Sequence, residues 1–190
     1  MIELEKKESI YFLTMDAGEN RWNTTFVREI AKALDTIEDD EGQGALITSS
    51  TDSKFFSNGL DLEWMQAPED HPDGGDREVF GEEFMYLMGR FITLPIPTVC
   101  ALNGHTFGAG FMFALSHDFR IMREDKGFIC ANEMQLGLPI PRPELALFKH
   151  KIPANAFFET VQLSKRWTGA DALKAGIIQG VSSFEELSEA

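Results

Sequence analysis

The chain has 190 residues, of which 43% are hydrophobic, so it is long enough to bury one sizeable core and short for two independent domains. Its 31 acidic and 17 basic side chains give a net charge of −14, which argues against nucleic acid or an anionic membrane surface as partner. Cys100 and Cys130 lie far apart in apolar runs, a spacing that fits neither a zinc cluster nor a disulfide framework. We therefore expect a single domain over residues 1–190 in a reducing, cytoplasmic setting, without a signal peptide or membrane span.

Strands and helices alternate along the predicted chain, which indicates an α/β domain. Helical spacing of apolar residues predicts one helix behind the N-cap Asn23 and a second from Phe80 to Phe91. Residues 66–76, rich in proline, glycine and acid, predict a mobile surface loop. Apolar runs predict strands at Ile10–Met15, residues 45–48, Thr98–Leu102, residues 119–122, residues 127–131 and residues 177–181. Further helices are predicted at residues 144–149, 154–163 and 170–175 and near residue 184.

The segment KFFSNGLDL carries the first candidate turn for chemistry. Gly59 permits a sharp turn after the apolar strand end, and Asp61 would cap a helix that begins near Leu62. The backbone N–H of Leu60 then lies at a helix start without an intrahelical partner and can point at an anionic oxygen. On this motif alone, a turn whose glycine only satisfies backbone geometry is the favoured interpretation.

A second glycine-rich turn, GHTFGAG, follows a predicted strand and opens an apolar helix. It matches neither a Walker A loop nor the GxGxxG dinucleotide fingerprint, because apolar residues follow Gly110. It does expose the backbone N–H of Ala109 at a helix start. On this motif alone, tight packing of that helix against the sheet is the favoured interpretation.

The segment ANEMQLGLPIP places Glu133 between an apolar strand and a glycine-proline turn. Partial desolvation there would raise the pKa of Glu133 toward the range of a general base. Taken alone, an exposed loop acid is the favoured interpretation. If Glu133 has no catalytic role, Glu144 and His105 are the next candidates.

Together, FFSNGLDL, NGHTFGAGFMFALSHDFRI and WTGADALKAGII resemble, in order, three segments of the crotonase superfamily, also called the enoyl-CoA hydratase/isomerase family. The resemblance spans most of the chain. It implies a mixed α/β spiral of ββα units and an oxyanion hole for an acyl-CoA thioester, formed by the N–H groups of Leu60 and Ala109. It also implies a homotrimer or hexamer and C-terminal helices that cover the CoA site. We expect that this helical region is truncated here.

Glutamates distinguish the reactions within this family. Hydratases use two, and the resemblance places Met112 at the first position and Glu133 at the second. ANEMQLG is also similar to the NE-x-QLG segment of monofunctional Δ3,Δ2-enoyl-CoA isomerases, which implies that Glu133 shifts the double bond of an unsaturated fatty acyl-CoA by a 1,3-proton transfer. Met112 would then line a drier pocket.

The resemblance further implies that residues beside the first oxyanion donor contact CoA: Lys54, Phe56, Asn58 and Leu60. Lys54 would be the cationic contact. No metal and no cofactor is expected, since CoA is part of the substrate, and the peroxisome is an alternative to the cytoplasm. Another crotonase reaction, hydration or thioester hydrolysis, and a non-catalytic acyl-CoA-binding module stay open as alternatives.

Overall fold

The computed structural model describes residues 1–40, 42–68 and 76–187, and two sheets organise these residues. The larger sheet has the strand order β1-β2-β3-β5-β7-β9, in which only the β1–β2 pair is antiparallel. The smaller sheet has the parallel order β4-β6-β8. The strands are β1 Ile2–Lys7, β2 Ile10–Met15, β3 Ala45–Ser50, β4 Phe55–Ser57, β5 Thr98–Leu102, β6 His105–Phe107, β7 Phe119–Arg123, β8 Ile129–Cys130 and β9 Gly180–Ser182.

Helices connect the strands and cover the sheets. They are α1 Thr24–Glu38, α2 Leu62–Gln66, α3 Phe80–Thr93, α4 Ala109–Ser116, α5 Glu133–Leu136, α6 Arg142–Lys151, α7 Ala154–Val161, α8 Gly169–Lys174 and α9 Phe184–Leu187. A 3-10 turn, Arg77–Val79, leads into α3. The mixed α/β fold expected from the sequence is confirmed.

Aromatic rings at the centre of the core join helices to strands. The indole of Trp22 is fully buried and makes edge contacts with Phe26 of α1, Phe84 of α3 and Phe113 of α4, each at 5.0 Å between ring centroids. The apolar spacing that predicts α1 and α3 therefore marks the faces that meet at this indole. All eight residues of α4 are buried, so this helix runs through the interior.

The three-stranded sheet determines where the glycine turns and Glu133 lie. Its strands run parallel, so their carboxyl ends share one edge. The chain leaves β4 toward Gly59, leaves β6 toward Gly108, and leaves β8 toward Glu133. Three segments that are far apart in sequence are thereby brought to one edge of one small sheet.

Three local expectations differ from the structure. The strand β1 was not predicted, because its sequence is largely charged. An edge strand exposes alternate residues, and Glu3 and Glu5 occupy the exposed positions. The short strand β6 was also absent from the prediction. The last strand begins at Gly180 and not at Ile177, because the N–H of Ile177 bonds back to Ala172 and closes α8. Of the predicted loop 66–76, residues 69–75 lie outside the described ranges.

Candidate active site

The first glycine turn presents a free backbone donor. Gly59 has φ +80°, and Trp22 holds both sides of the turn through hydrogen bonds of 2.9 Å with the oxygen of Gly59 and the N–H of Asp61. The side chain of Asp61 accepts from the N–H of Trp64, so it caps α2 as predicted. Between these anchored groups, the N–H of Leu60 has no hydrogen-bond partner among the described residues.

The second glycine turn lies directly against the first. Gly108 has φ +50°, and its oxygen accepts from the N–H groups of Phe111 and Met112 at the start of α4. Ala109 is the first residue of α4, so its N–H has no intrahelical acceptor. A Cβ placed on Gly59 would lie 2.9 Å from the oxygen of Phe107 and 3.7 Å from the nitrogen of Ala109. The two turns are therefore in backbone contact, which only a glycine permits here.

Glu133 faces the second turn from the adjacent strand end. Its carboxyl Oε1 is 3.0 Å from the position that a Cβ on Gly108 would occupy. The residue is only 8% exposed, and Oε2 is buried without a hydrogen-bond partner among the described residues. This burial raises the pKa of Glu133. Its backbone oxygen accepts from the N–H of Leu138 at 2.9 Å, which fixes the turn that carries it.

A cavity of about 360 Å³ lies between the two turns and Glu133. Leu60, Ala109 and Met112 all line it, and Met112 is 3% exposed. The remaining walls are largely apolar and come from α2, α3 and the segment after α5: Leu62, Met65, Phe80, Phe84, Leu136, Leu138, Pro139 and Pro141. The arrangement suits an extended apolar chain whose polar end reaches the two free N–H groups.

The residues predicted beside CoA separate into different environments. Asn58 lines the cavity and donates to Glu19 at 2.8 Å. Lys54 is exposed outside this cavity, with its Nζ 4.9 Å from the centre of the Phe55 ring. The side chain of Phe56 is fully buried and stacks on Phe113 in the core. Its side chain does not line this cavity, because β4 turns it inward, and a contact of Phe56 with CoA stays a prediction.

Glu144 is a cavity residue that the sequence named only as a fallback. It lies in the first turn of α6 and lines the cavity together with Glu133. Burial, followed by the negative charge of Glu133, raises the pKa of Glu144 to about 7. Its carboxyl has no hydrogen bond or ion pair with the part of the chain that the structure describes. The sequence offered one signal for Glu144, because the residue lies in the first turn of the helix that follows the turn of Glu133.

Comparison with known proteins identifies the family of this chain. A sequence model described as enoyl-CoA hydratase/isomerase matches residues 5–190. The chain belongs to this family. Enoyl-CoA delta isomerase 2, a peroxisomal protein of Arabidopsis thaliana, is 33% identical over 189 residues, which cover 98% of this chain and 79% of that protein. The resemblance of the three segments is thus confirmed at the level of the family.

Solved structures of the enoyl-CoA hydratase/isomerase family confirm the fold. An enoyl-CoA hydratase of Mycobacterium ulcerans superimposes with a TM-score of 0.89 at 25% identity, covering 99% of this chain and 80% of that one. An apo enoyl-CoA isomerase of Mycobacterium tuberculosis gives a TM-score of 0.87 at 25% identity, covering 99% and 79%. In the described ranges, no helix is both long and apolar enough to cross a membrane.

Proposed function

We propose that this member of the enoyl-CoA hydratase/isomerase family is a Δ3,Δ2-enoyl-CoA isomerase in which Glu133 is the general base. The burial of Glu133 beside the Gly108 turn carries the proposal, because a desolvated carboxylate next to two free N–H groups suits removal of a proton alpha to a carbonyl. The isomerase of Arabidopsis thaliana, similar over nearly the whole chain, supports the same reaction.

The reaction begins with the thioester oxygen of a 3-enoyl-CoA between the N–H groups of Leu60 and Ala109. Glu133 removes a proton from C2, and the electron pair of the C2–H bond forms an enolate whose charge rests on that oxygen. Preorganised N–H donors stabilise such a charge, and loss of one donor costs about 2.7–4 kcal/mol in comparable sites. Glu133 then returns the proton to C4, the double bond moves to C2–C3, and the thioester carbonyl re-forms.

The apolar wall explains why isomerisation is favoured over hydration. Met112 lines the cavity on α4, a helix without any ionisable side chain. A thioether cannot activate water, and an apolar wall lowers the access of water to the enolate. Hydration is the second candidate function, because Glu144 adds a second carboxyl to the same cavity.

The proposal also covers the CoA contact, the oligomer, the cofactor and the compartment. Lys54 is an exposed cation directly before β4, the strand that leads to Leu60, and it is proposed as the contact of a phosphate of CoA. A homotrimer or hexamer and the absence of any cofactor beyond the CoA of the substrate stay predictions. For the compartment we propose the cytoplasm, with the peroxisome as alternative because the Arabidopsis relative is peroxisomal.

The test is the Glu133→Gln variant, which keeps size and hydrogen bonding and removes basicity. Isomerisation of 3-enoyl-CoA should fall by roughly 10²–10⁴-fold, while binding of an acyl-CoA product stays unchanged by calorimetry. Glu82→Gln, an exposed glutamate of α3 outside the cavity, is the matched control and should retain full activity. Near-normal turnover by folded Glu133→Gln would refute the assignment.

A further inference from the structure

The cavity holds a second carboxyl that the proposed single-base reaction leaves unused. Glu144 projects from the first turn of α6, and Glu133 projects from the start of α5 into the same 360 Å³ space. Glu133 is 92% buried, and its Oε2 has no hydrogen-bond partner among the described residues. Glu144 has no hydrogen bond or ion pair within the same ranges. Two carboxyls without protein partners thus face one apolar cavity.

The surroundings of Glu144 contain few other charges. Among the described residues that line the cavity, the other ionisable side chain is that of Arg21, which is paired with Glu19 at 2.7 Å. Of the two helices packed against α6, α4 has no ionisable side chain, and α7 has Glu159, which forms an ion pair with Lys165. The charge that Glu144 meets is therefore mainly that of Glu133.

We propose that Glu144 is a second catalytic residue, which delivers the proton to C4 while Glu133 removes the proton from C2. The inference rests on the proposed isomerase function. Glu133 takes the C2 proton, and the C2–H electron pair enters the enolate. The electron pair of the C3–C4 double bond then takes the proton of the Glu144 carboxyl at C4. The C1–C2 electron pair of the enolate moves to form the C2–C3 double bond, and an electron pair of the oxygen re-forms the thioester carbonyl.

The protonation states required by this step agree with the electrostatics of the pair. Burial, and after it the negative charge of Glu133, raises the pKa of Glu144, so Glu133 ionises first and Glu144 keeps its proton longer. After the step, Glu133 holds a proton and Glu144 is a carboxylate at the N-terminus of α6, where the helix dipole stabilises the charge. Exchange with solvent water after product release removes the proton from Glu133 and supplies one to Glu144, which restores the starting state.

Isotope transfer distinguishes this scheme from a single-base reaction. A 3-enoyl-CoA with two deuterons at C2 is isomerised in ordinary water, and the deuterium at C4 of the product is measured by mass spectrometry. The wild type should place little deuterium at C4, because Glu144 carries a solvent-derived proton. In Glu144→Gln, Glu133 must return the deuteron that it removed, so deuterium at C4 should rise several-fold while the rate falls by about 10–100-fold.

The pH profile gives a second readout. Glu144 acts in its acid form, so kcat/KM of the wild type should fall as pH rises above about 7, and Glu144→Gln should lack this alkaline limb. Glu82→Gln should keep both the limb and the label distribution of the wild type. A lower rate in Glu144→Gln with unchanged label and unchanged limb would overturn the proposal and leave Glu144 a structural role.

Failure of this inference is separable from failure of the proposed function. A wild type that does not isomerise 3-enoyl-CoA, or a fully active Glu133→Gln, contradicts the isomerase proposal itself. A wild type that isomerises, with Glu133→Gln inactive and Glu144→Gln identical to wild type in rate, label and pH profile, contradicts only the role of Glu144.

Discussion

Substitution of Gly108 by alanine tests whether the glycine turn and Glu133 act as one unit. Gly108 has φ +50° and ψ −119°, a conformation that L-residues rarely adopt. The added methyl group would lie 3.0 Å from Oε1 of Glu133 and 3.3 Å from Oδ1 of Asn132. Either the carboxyl or the turn must move, and the turn carries the N–H of Ala109.

The magnitude follows from these two effects. Backbone strain of this kind costs about 1–3 kcal/mol, and each kcal/mol lowers Tm by about 2–4 °C in a chain of this size. The carboxyl and the N–H donor must separate by a few tenths of an ångström or more. Since about 1 Å of misplacement can cost roughly 10²-fold, we expect kcat for 3-enoyl-CoA isomerisation to fall by about 10–100-fold.

Gly18→Ala is the matched control. Gly18 has φ +58° in the connection between β2 and α1, and a Cβ there would meet nothing within 4 Å. This variant should lose Tm through backbone strain and keep its kcat. Thermal unfolding and steady-state isomerisation are measured on both proteins. A folded Gly108→Ala with wild-type kcat, or an equal loss of kcat in Gly18→Ala, would refute the reasoning.

Two further predictions concern the cavity wall and the core. Met112→Glu places a carboxylate on α4 in the same cavity as Glu133, so hydration of 2-enoyl-CoA should become measurable as loss of the enoyl thioester absorbance. No hydration in a folded variant would count against the role of the Met112 wall. Burial lowers the pKa of His117 to about 3. Below about pH 6.5 the unfolded chain therefore binds a proton that the folded chain does not. The free energy of unfolding should fall by about 1.4 kcal/mol for each pH unit in this range. Urea unfolding of His117→Gln at about pH 7.5 and about pH 5.5 should show that the stability difference from wild type shrinks at the lower pH, and a constant difference would contradict this account.

Helices and strands were predicted most accurately where a local sequence pattern coincides with a buried face. The N-cap Asn23 accepts from the N–H of Phe26 as expected, because the cap and the apolar spacing that follows it are both local. The strand Thr98–Leu102 was bounded correctly for the same reason, since Pro97 precedes it and a glycine turn follows. β1 was not predicted because its residues are largely charged. Its stability depends on pairing with β2 and not on its own composition.

The candidate site could not be predicted from local sequence patterns alone. Each glycine turn, taken alone, favoured a purely structural interpretation, and their contact at the edge of the three-stranded sheet depends on the pairing of β4 with β6. The position of Glu144 depends in the same way on the packing of α6 against α4, where Phe148 and Phe111 meet with ring centroids 5.4 Å apart. The family resemblance predicted that the two glycine turns form one site, and it did not predict the position of Glu144.

Charge balance connects the two carboxyls to the oxyanion donors. With both carboxyls ionised, the cavity would oppose the negative charge that develops on the thioester oxygen. With Glu144 protonated, the cavity begins with the single charge of Glu133, and that charge moves to the oxygen between the N–H groups of Leu60 and Ala109. When the proton reaches C4, the charge passes to Glu144 at the N-terminus of α6. In the proposed cycle the cavity thus holds one negative charge at every step, and backbone N–H dipoles stabilise that charge on the thioester oxygen and on Glu144.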